Sequence, residues 1–166
     1  MAAERQKVTA TKETTGSSMT ALMEEVLQRQ NLCEALKRVR SNQGAPGVDG
    51  MTVDELPGYL KAEWTRLKEE LLSSTYEPLP VRVVYIPKPR GGTRMLGIPT
   101  VLDRMIQQAI LQVIGPIFDT TFSDASYGYR LGRSAHQAVA RAREHVSAGC
   151  RFVVDLDLQD FFDRVN

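Results

Sequence analysis

The sequence predicts an α+β chain of several amphipathic helices, one antiparallel hairpin and a last strand. Three observations carry this expectation. Apolar residues recur at helical spacing in separate runs, of which Leu56, Leu60, Trp64, Leu67 and Leu71 form the clearest. Two β-like runs, Val81 to Ile86 and Thr93 to Ile98, flank the short connection Pro87-Lys88-Pro89-Arg90-Gly91-Gly92. In the final stretch Phe152, Val154, Leu156 and Leu158 alternate with Val153, Asp155 and Asp157, the period of two that a strand imposes. With 166 residues, 42% of them hydrophobic and 25% charged, the chain can bury one real core and is neither a disordered nor a fibrous sequence.

Taken in order, residues 1–18 are polar and lack an apolar signal-peptide core, which reads as a disordered tail. A first helix is expected from about Ser18 to Gln30, with Leu22, Met23, Val26 and Leu27 inward. Asn31-x-x-Glu34 has the form of a capping box opening a second helix. That helix carries Leu32, Leu36 and Val39 inward and has Lys37, Arg38 and Arg40 near its C-terminus, where the dipole favours cations. Asn42 to Gly50 packs three glycines and a proline into a loop, either a linker or a shaped binding element. Thr52-x-x-Glu55 caps the helix of the Trp64 stripe, and Pro57 is expected to bend or split its start.

After the hairpin, Thr100-x-x-Asp103 caps a helix with Ile106, Ala109, Ile110, Val113, Ile114 and Ile117 inward and Gln107, Gln108 and Gln112 outward. Pro116 lies near its end. Phe118 to Arg133 is irregular. There Phe122, Tyr127 and Tyr129 are interleaved with Arg130 and Arg133, a pattern that suits either stacked bases and phosphates or packed loop anchors. Ser134-x-x-Gln137 caps a last helix with Ala138, Val139, Ala142 and Val146 inward. His136 and His145 have no ligand partner at helical spacing and read as structural or exposed.

Net charge is only +1, so the distribution matters more than the total. Arg82, Lys88, Arg90, Arg94 and Arg104 stand against the single acid Asp103 between Pro78 and Arg104. Acids collect instead around Glu55 to Glu70 and in the last stretch. Basic segments leading into an acidic cluster suit an anionic substrate, although most charge runs are solvated faces. Lys88 and Arg94 can point to one side of the hairpin tip and hold a polyphosphate, or merely protect a sheet edge. Asp155 and Asp157 share a strand face. Alone they read first as an acidic edge strand and second as a cation site. Cys33 and Cys150 form neither a metal-ligand spacing nor a disulfide framework, which fits a reducing compartment, and no apolar run is long enough to span a membrane.

Four stretches, in this order, resemble the N-terminal part of a bacterial group II intron-encoded reverse transcriptase/maturase. They are Asn42-Gln43-Gly44-Ala45-Pro46-Gly47-Val48-Asp49-Gly50; Ile86-Pro87-Lys88-Pro89 with Arg94-Met95-Leu96-Gly97-Ile98-Pro99-Thr100 and Asp103-Arg104; Tyr127-Gly128-Tyr129-Arg130-Leu131-Gly132-Arg133; and Val153-Val154-Asp155-Leu156-Asp157-Leu158 with Phe161-Phe162-Asp163. The resemblance implies an N-terminal extension over 19–50, fingers over 51–150 and the first palm strand with its motif A over 151–166. It makes Asp157 a catalytic, Mg²⁺-binding carboxylate and the Leu158 carbonyl a second oxygen ligand, while Asp155 matches no ligand. Lys88, Arg94 and Phe162 become the residues that hold and select the incoming dNTP. Asn42, Gln43, Gly44, Ala45, Pro46, Gly47, Arg104, Tyr129 and Arg130 become template-facing. Leu131 departs from the pattern, which has proline there.

The implied reaction is RNA-templated DNA synthesis in the bacterial cytoplasm, with template RNA, intron RNA, a DNA primer and dNTP as partners. A Tyr-x-Asp-Asp motif does not occur in the 166 residues, so this chain alone is expected not to polymerise and to need a separate palm/thumb polypeptide. Rival readings are a non-catalytic RNA-binding module, a retron-type reverse transcriptase and, more distantly, a nuclease built on Asp155 and Asp157.

Overall fold

The computed structural model describes residues 21–89 and 91–158. The expected tail over 1–18 and Phe162 lie outside them. The chain divides into two compact units after Phe118.

The first unit opens with a short helix, α1, over residues 21–26, followed by α2 (Arg29–Ser41). The break between them falls at Gln28, the extended N-cap of α2, which offers no side-chain cap. The expected capping box at Asn31 is therefore not formed. The helix has already begun, and the Asn31 amide is used elsewhere: Nδ2 donates to the carbonyls of Val26 at 2.8 Å and Ala109 at 3.0 Å. Gln112, expected outward, turns in and donates from Nε2 to Asn31 Oδ1 at 2.6 Å and to its carbonyl at 3.0 Å. This network staples the α1–α2 junction to a helix some eighty residues later, giving the half-buried amides of Asn31 and Gln112 their partners.

α3 runs unbroken from Leu56 to Leu72. Pro57 neither bends nor splits it, because in the first turn its missing N–H would have had no helical acceptor. Thr52 and Glu55 do pair, through the Thr52 N–H and hydroxyl to Glu55 Oε2 at 2.8 and 2.7 Å, but they do so just ahead of the helix. Those donors, the backbone N–H foremost, hold the Glu55 carboxyl below its ordinary pKa.

β1 (Arg82–Pro87) and β2 (Thr93–Ile98) form the expected antiparallel hairpin, in a register that sets Val84 against Leu96 and Ile86 against Arg94. One face, with Arg82, Val84, Leu96 and Ile98, is half-buried, while Val83, Tyr85 and Met95 on the other are exposed. α4 (Val101–Asp119) follows at once and carries Pro116 inside it. The core joins α1 to α4: Val26, Ala35, Val39, Leu56, Leu67, Leu71, Val101, Met105, Ala109 and Val113 are buried, and Trp64 packs against them. Burying about 1.5–3 kcal/mol per large side chain is what orders these helices, none of which would be stable alone.

The second unit contains the loop after Asp119 and α5 (Ala135–Ser147). The capping box forms as expected, with Gln137 Oε1 accepting from the Ser134 N–H at 2.7 Å and Ser134 Oγ from the Gln137 N–H at 3.4 Å. The expected inward face does not. Val139 and Val146 are exposed, since no described residue packs over them. Residues 151–158 likewise have no ladder partner among the described residues, and both faces of the alternating run are exposed. Alternation states which side chains share a face, but a strand acquires its hydrogen bonds from a neighbour. No described helix is long and apolar enough to cross a membrane.

Candidate functional site

The hairpin tip is built by its turn. The Lys88 N–H donates to the Gly92 carbonyl at 2.9 Å and the Gly91 N–H to the Lys88 carbonyl at 3.0 Å. Gly91 and Gly92 both take left-handed backbone (φ 90° and 83°), which side-chain-bearing residues adopt at a cost. Arg94 stands opposite Ile86, and Lys88 is the first residue past the end of β1, across the turn from Gly92. Neither cation has an ion pair or side-chain hydrogen bond among the described residues. Both cations stand at the hairpin tip.

The loop after α2 is fitted to the start of α4. Gln43, in the left-handed region (φ 43°), turns the chain out of the helix. A Cβ on Gly47 would lie 2.7 Å from Thr100 Cα and 2.8 Å from its nitrogen, so backbone meets backbone there and only glycine fits. At Gly44 the space is taken by Arg104, whose Nη2 donates to the carbonyls of Ala45 at 2.8 Å and Gly44 at 3.4 Å. Arg104 Nε is buried without a partner. Arg104, which the sequence reading sets toward a template, holds the loop's own backbone through Nη2.

In the second unit Arg130 is a closed hub. Its Nε donates to Asp119 Oδ1 at 2.7 Å, Nη1 to the carbonyls of Ser123 and Ser126 at 2.7 and 3.1 Å, and Nη2 to the Asp119 carbonyl and Oδ2 at 3.2 and 3.3 Å. A guanidinium has five N–H donors, and all are used. The side chain is 7% exposed and sits over the Phe122 ring, 5.4 Å from its centroid. This hydrogen bond and charge hold the Asp119 carboxyl below its ordinary pKa. Arg130 therefore has no donor left for a phosphate. Its neighbour Tyr129 is the reverse, fully exposed and in the left-handed region (φ 55°). Arg133 donates to the Asp124 carbonyl and carboxylate, both at 3.2 Å, and lies over Tyr127.

Asp155, Asp157 and Leu158 are exposed. Asp157 suits one hard-oxygen ligand of a Mg²⁺ ion, but among the described residues no group of three or more His, Cys, Asp or Glu side chains gathers. The described residues bring no third such group beside Asp155 and Asp157. Sequence reasoning missed Tyr76, whose hydroxyl donates to Asp103 Oδ1 at 2.7 Å, and Asn31; both act through partners far away in the chain.

Residues 86–166 match the family described as reverse transcriptase (RNA-dependent DNA polymerase). The chain is 40% identical over 152 residues to Protein YkfC of Escherichia coli (strain K12), covering 87% of this chain and 40% of that protein. It is 33% identical over 133 residues to the group II intron-encoded protein LtrA of Lactococcus lactis subsp. cremoris, covering 80% of this chain and 22% of LtrA. Over 132 residues it is 30% identical to a putative COX1/OXI3 intron 1 protein of Saccharomyces cerevisiae, covering 80% and 16% respectively. The chain thus spans two fifths or less of the length of these curated relatives.

Proposed function

Because the chain belongs to the reverse transcriptase family and resembles the N-terminal part of group II intron-encoded members, we propose that it supplies the fingers and first catalytic carboxylate of an RNA-directed DNA polymerase. The observation that carries the proposal is the pair of cations at the hairpin tip, Lys88 and Arg94, neither of them ion-paired among the described residues. A triphosphate carries several negative charges and strong acceptors, and charge-assisted bonds from lysine and arginine are the usual means of holding one. The loop Asn42 to Gly47, fixed against α4, offers a template-facing surface, with exposed Tyr129 as a further stacking element for RNA. Arg104 and Arg130 serve these surfaces by shaping backbone.

Asp157 is the proposed Mg²⁺ ligand, with the Leu158 carbonyl beside it and Phe162 as the residue that crowds a ribose 2′-hydroxyl. When bound, Mg²⁺ stabilises charge on the transferring phosphate. Template RNA, intron RNA, a DNA primer and dNTP are the proposed partners, and further carboxylates come from a Tyr-x-Asp-Asp hairpin on palm/thumb structure.

Titration calorimetry with inorganic tripolyphosphate tests the grip. Lys88→Ala/Arg94→Ala is expected to weaken binding by about tenfold or more, since each bond to a charged group is worth about 1.5–3 kcal/mol. Equal binding by the double variant would remove the proposal's support.

A further inference from the structure

We propose that Asp103, acting with Tyr76 and Thr100, is a positioning residue for the triphosphate grip, the clamp that closes the root of the hairpin; this rests on the function proposed above. Its two carboxylate oxygens are divided between the hairpin's two flanks. Oδ1 accepts from the Tyr76 hydroxyl at 2.7 Å, and Tyr76 lies in the segment that leads from α3 into β1. Oδ2 accepts from Thr100 Oγ1 at 2.5 Å, and Thr100 lies just past the end of β2. The same Thr100 oxygen accepts the Asp103 N–H at 3.0 Å, which completes the helix cap.

Capping alone does not explain this arrangement. Asp103 is only 3% exposed and Thr100 2%, whereas a capping carboxylate can do its work at the surface. Burying a carboxylate is costly unless its oxygens are bonded, and here the second bond comes from across the hairpin's root. Burial and the Asp103 carboxylate push the Tyr76 phenol well above its ordinary pKa, so it stays a donor at any working pH. Gly47 rests on Thr100 Cα and nitrogen, so the same residues also seat the 42–50 loop.

The hairpin reaches Lys88 and Arg94 from this root through only two strands, whose outer face is exposed. A two-stranded hairpin is marginal by itself. Its tip is therefore aimed by what fixes its ends.

The test uses the 166-residue chain with inorganic tripolyphosphate as probe, together with amide exchange. Tyr76→Phe and Asp103→Asn are expected to weaken binding roughly three- to tenfold. They should also speed exchange across β1 and β2 while sparing α2. Asn31→Ala, which loses the bonds to Val26 and Ala109, serves as the control: it lowers Tm but leaves tripolyphosphate affinity at the parent value. Lys88→Ala/Arg94→Ala reports on the grip itself. If only the grip variant loses binding, the clamp has no positioning role while the proposed function stands. If Asn31→Ala loses affinity in step with its Tm, as Tyr76→Phe does, the effect is general stability and the inference fails. Should the parent chain show no binding that depends on Lys88 and Arg94, the functional reading fails and the clamp's role falls with it.

Discussion

Gly47→Ala is expected to lower Tm by about 5–15 °C and to release the 42–50 loop from α4. The added methyl would meet Thr100 Cα at 2.7 Å, its nitrogen at 2.8 Å and the Pro99 carbonyl carbon at 3.1 Å. All three are backbone atoms of Pro99 and Thr100, the residues just ahead of α4, so none can swing aside as a side chain could. Overpacking of this kind costs about 1–3 kcal/mol, each worth roughly 2–8 °C in a domain of this size. Gly44→Ala provides the contrast. Its methyl meets the end of the Arg104 side chain, which can move, so the variant should retain most of its Tm while losing the bonds to Gly44 and Ala45. Differential scanning calorimetry with amide exchange over 42–50 separates the two.

Arg130→Lys is expected to open the 119–133 loop, although charge is conserved. An ammonium has three donors and no fork, so it cannot replace five bonds to Asp119, Ser123 and Ser126. Amide exchange there should rise by at least about tenfold, the worth of one or two such bonds, with the first unit unaffected. The Asp119–Arg130 pair also has a pH dependence of definite sign. The Asp119 carboxyl is held below its ordinary value, so its contribution is complete above about pH 4. It is lost as pH falls through the lowered folded value. RNA binding should weaken in the lysine variant without a change in its salt slope, because Arg130 has no free donor for phosphate. A slope reduced by about one would mean that Arg130 contacts phosphate directly.

Much of this architecture was legible because it is local. The Ser134–Gln137 box, the Thr100–Asp103 cap and the hairpin follow from spacing and turn chemistry within a few residues. Two of the failures share a cause. Asn31-x-x-Glu34 has the same lettering as a capping box, but carbonyls of Val26 and Ala109 compete for its amide, and Ala109 is distant in sequence. Gln112 turned inward for the same reason.

At the candidate site, residue types were legible and directions were not. Arginine beside aromatic residues described the 119–133 loop correctly. Whether Arg130 faced a ligand or its own loop depended on where Ser123 and Ser126 presented their carbonyls. Arg104 turned toward Ala45 in the same way, whereas Lys88 and Arg94, at the hairpin tip, have no ion pair among the described residues. The α5 stripe and the alternating run over 151–158 state which surfaces want partners, and no described residue covers them.

The central claim, that this chain brings one metal-binding carboxylate and the fingers of an RNA-directed DNA polymerase, is tested most directly by primer extension on an RNA template. The 166-residue chain is combined with a palm/thumb polypeptide carrying a Tyr-x-Asp-Asp hairpin, and the parent is compared with Asp157→Asn. The account predicts cDNA from the parent combination, with its loss in Asp157→Asn. Synthesis that survives Asp157→Asn would contradict it.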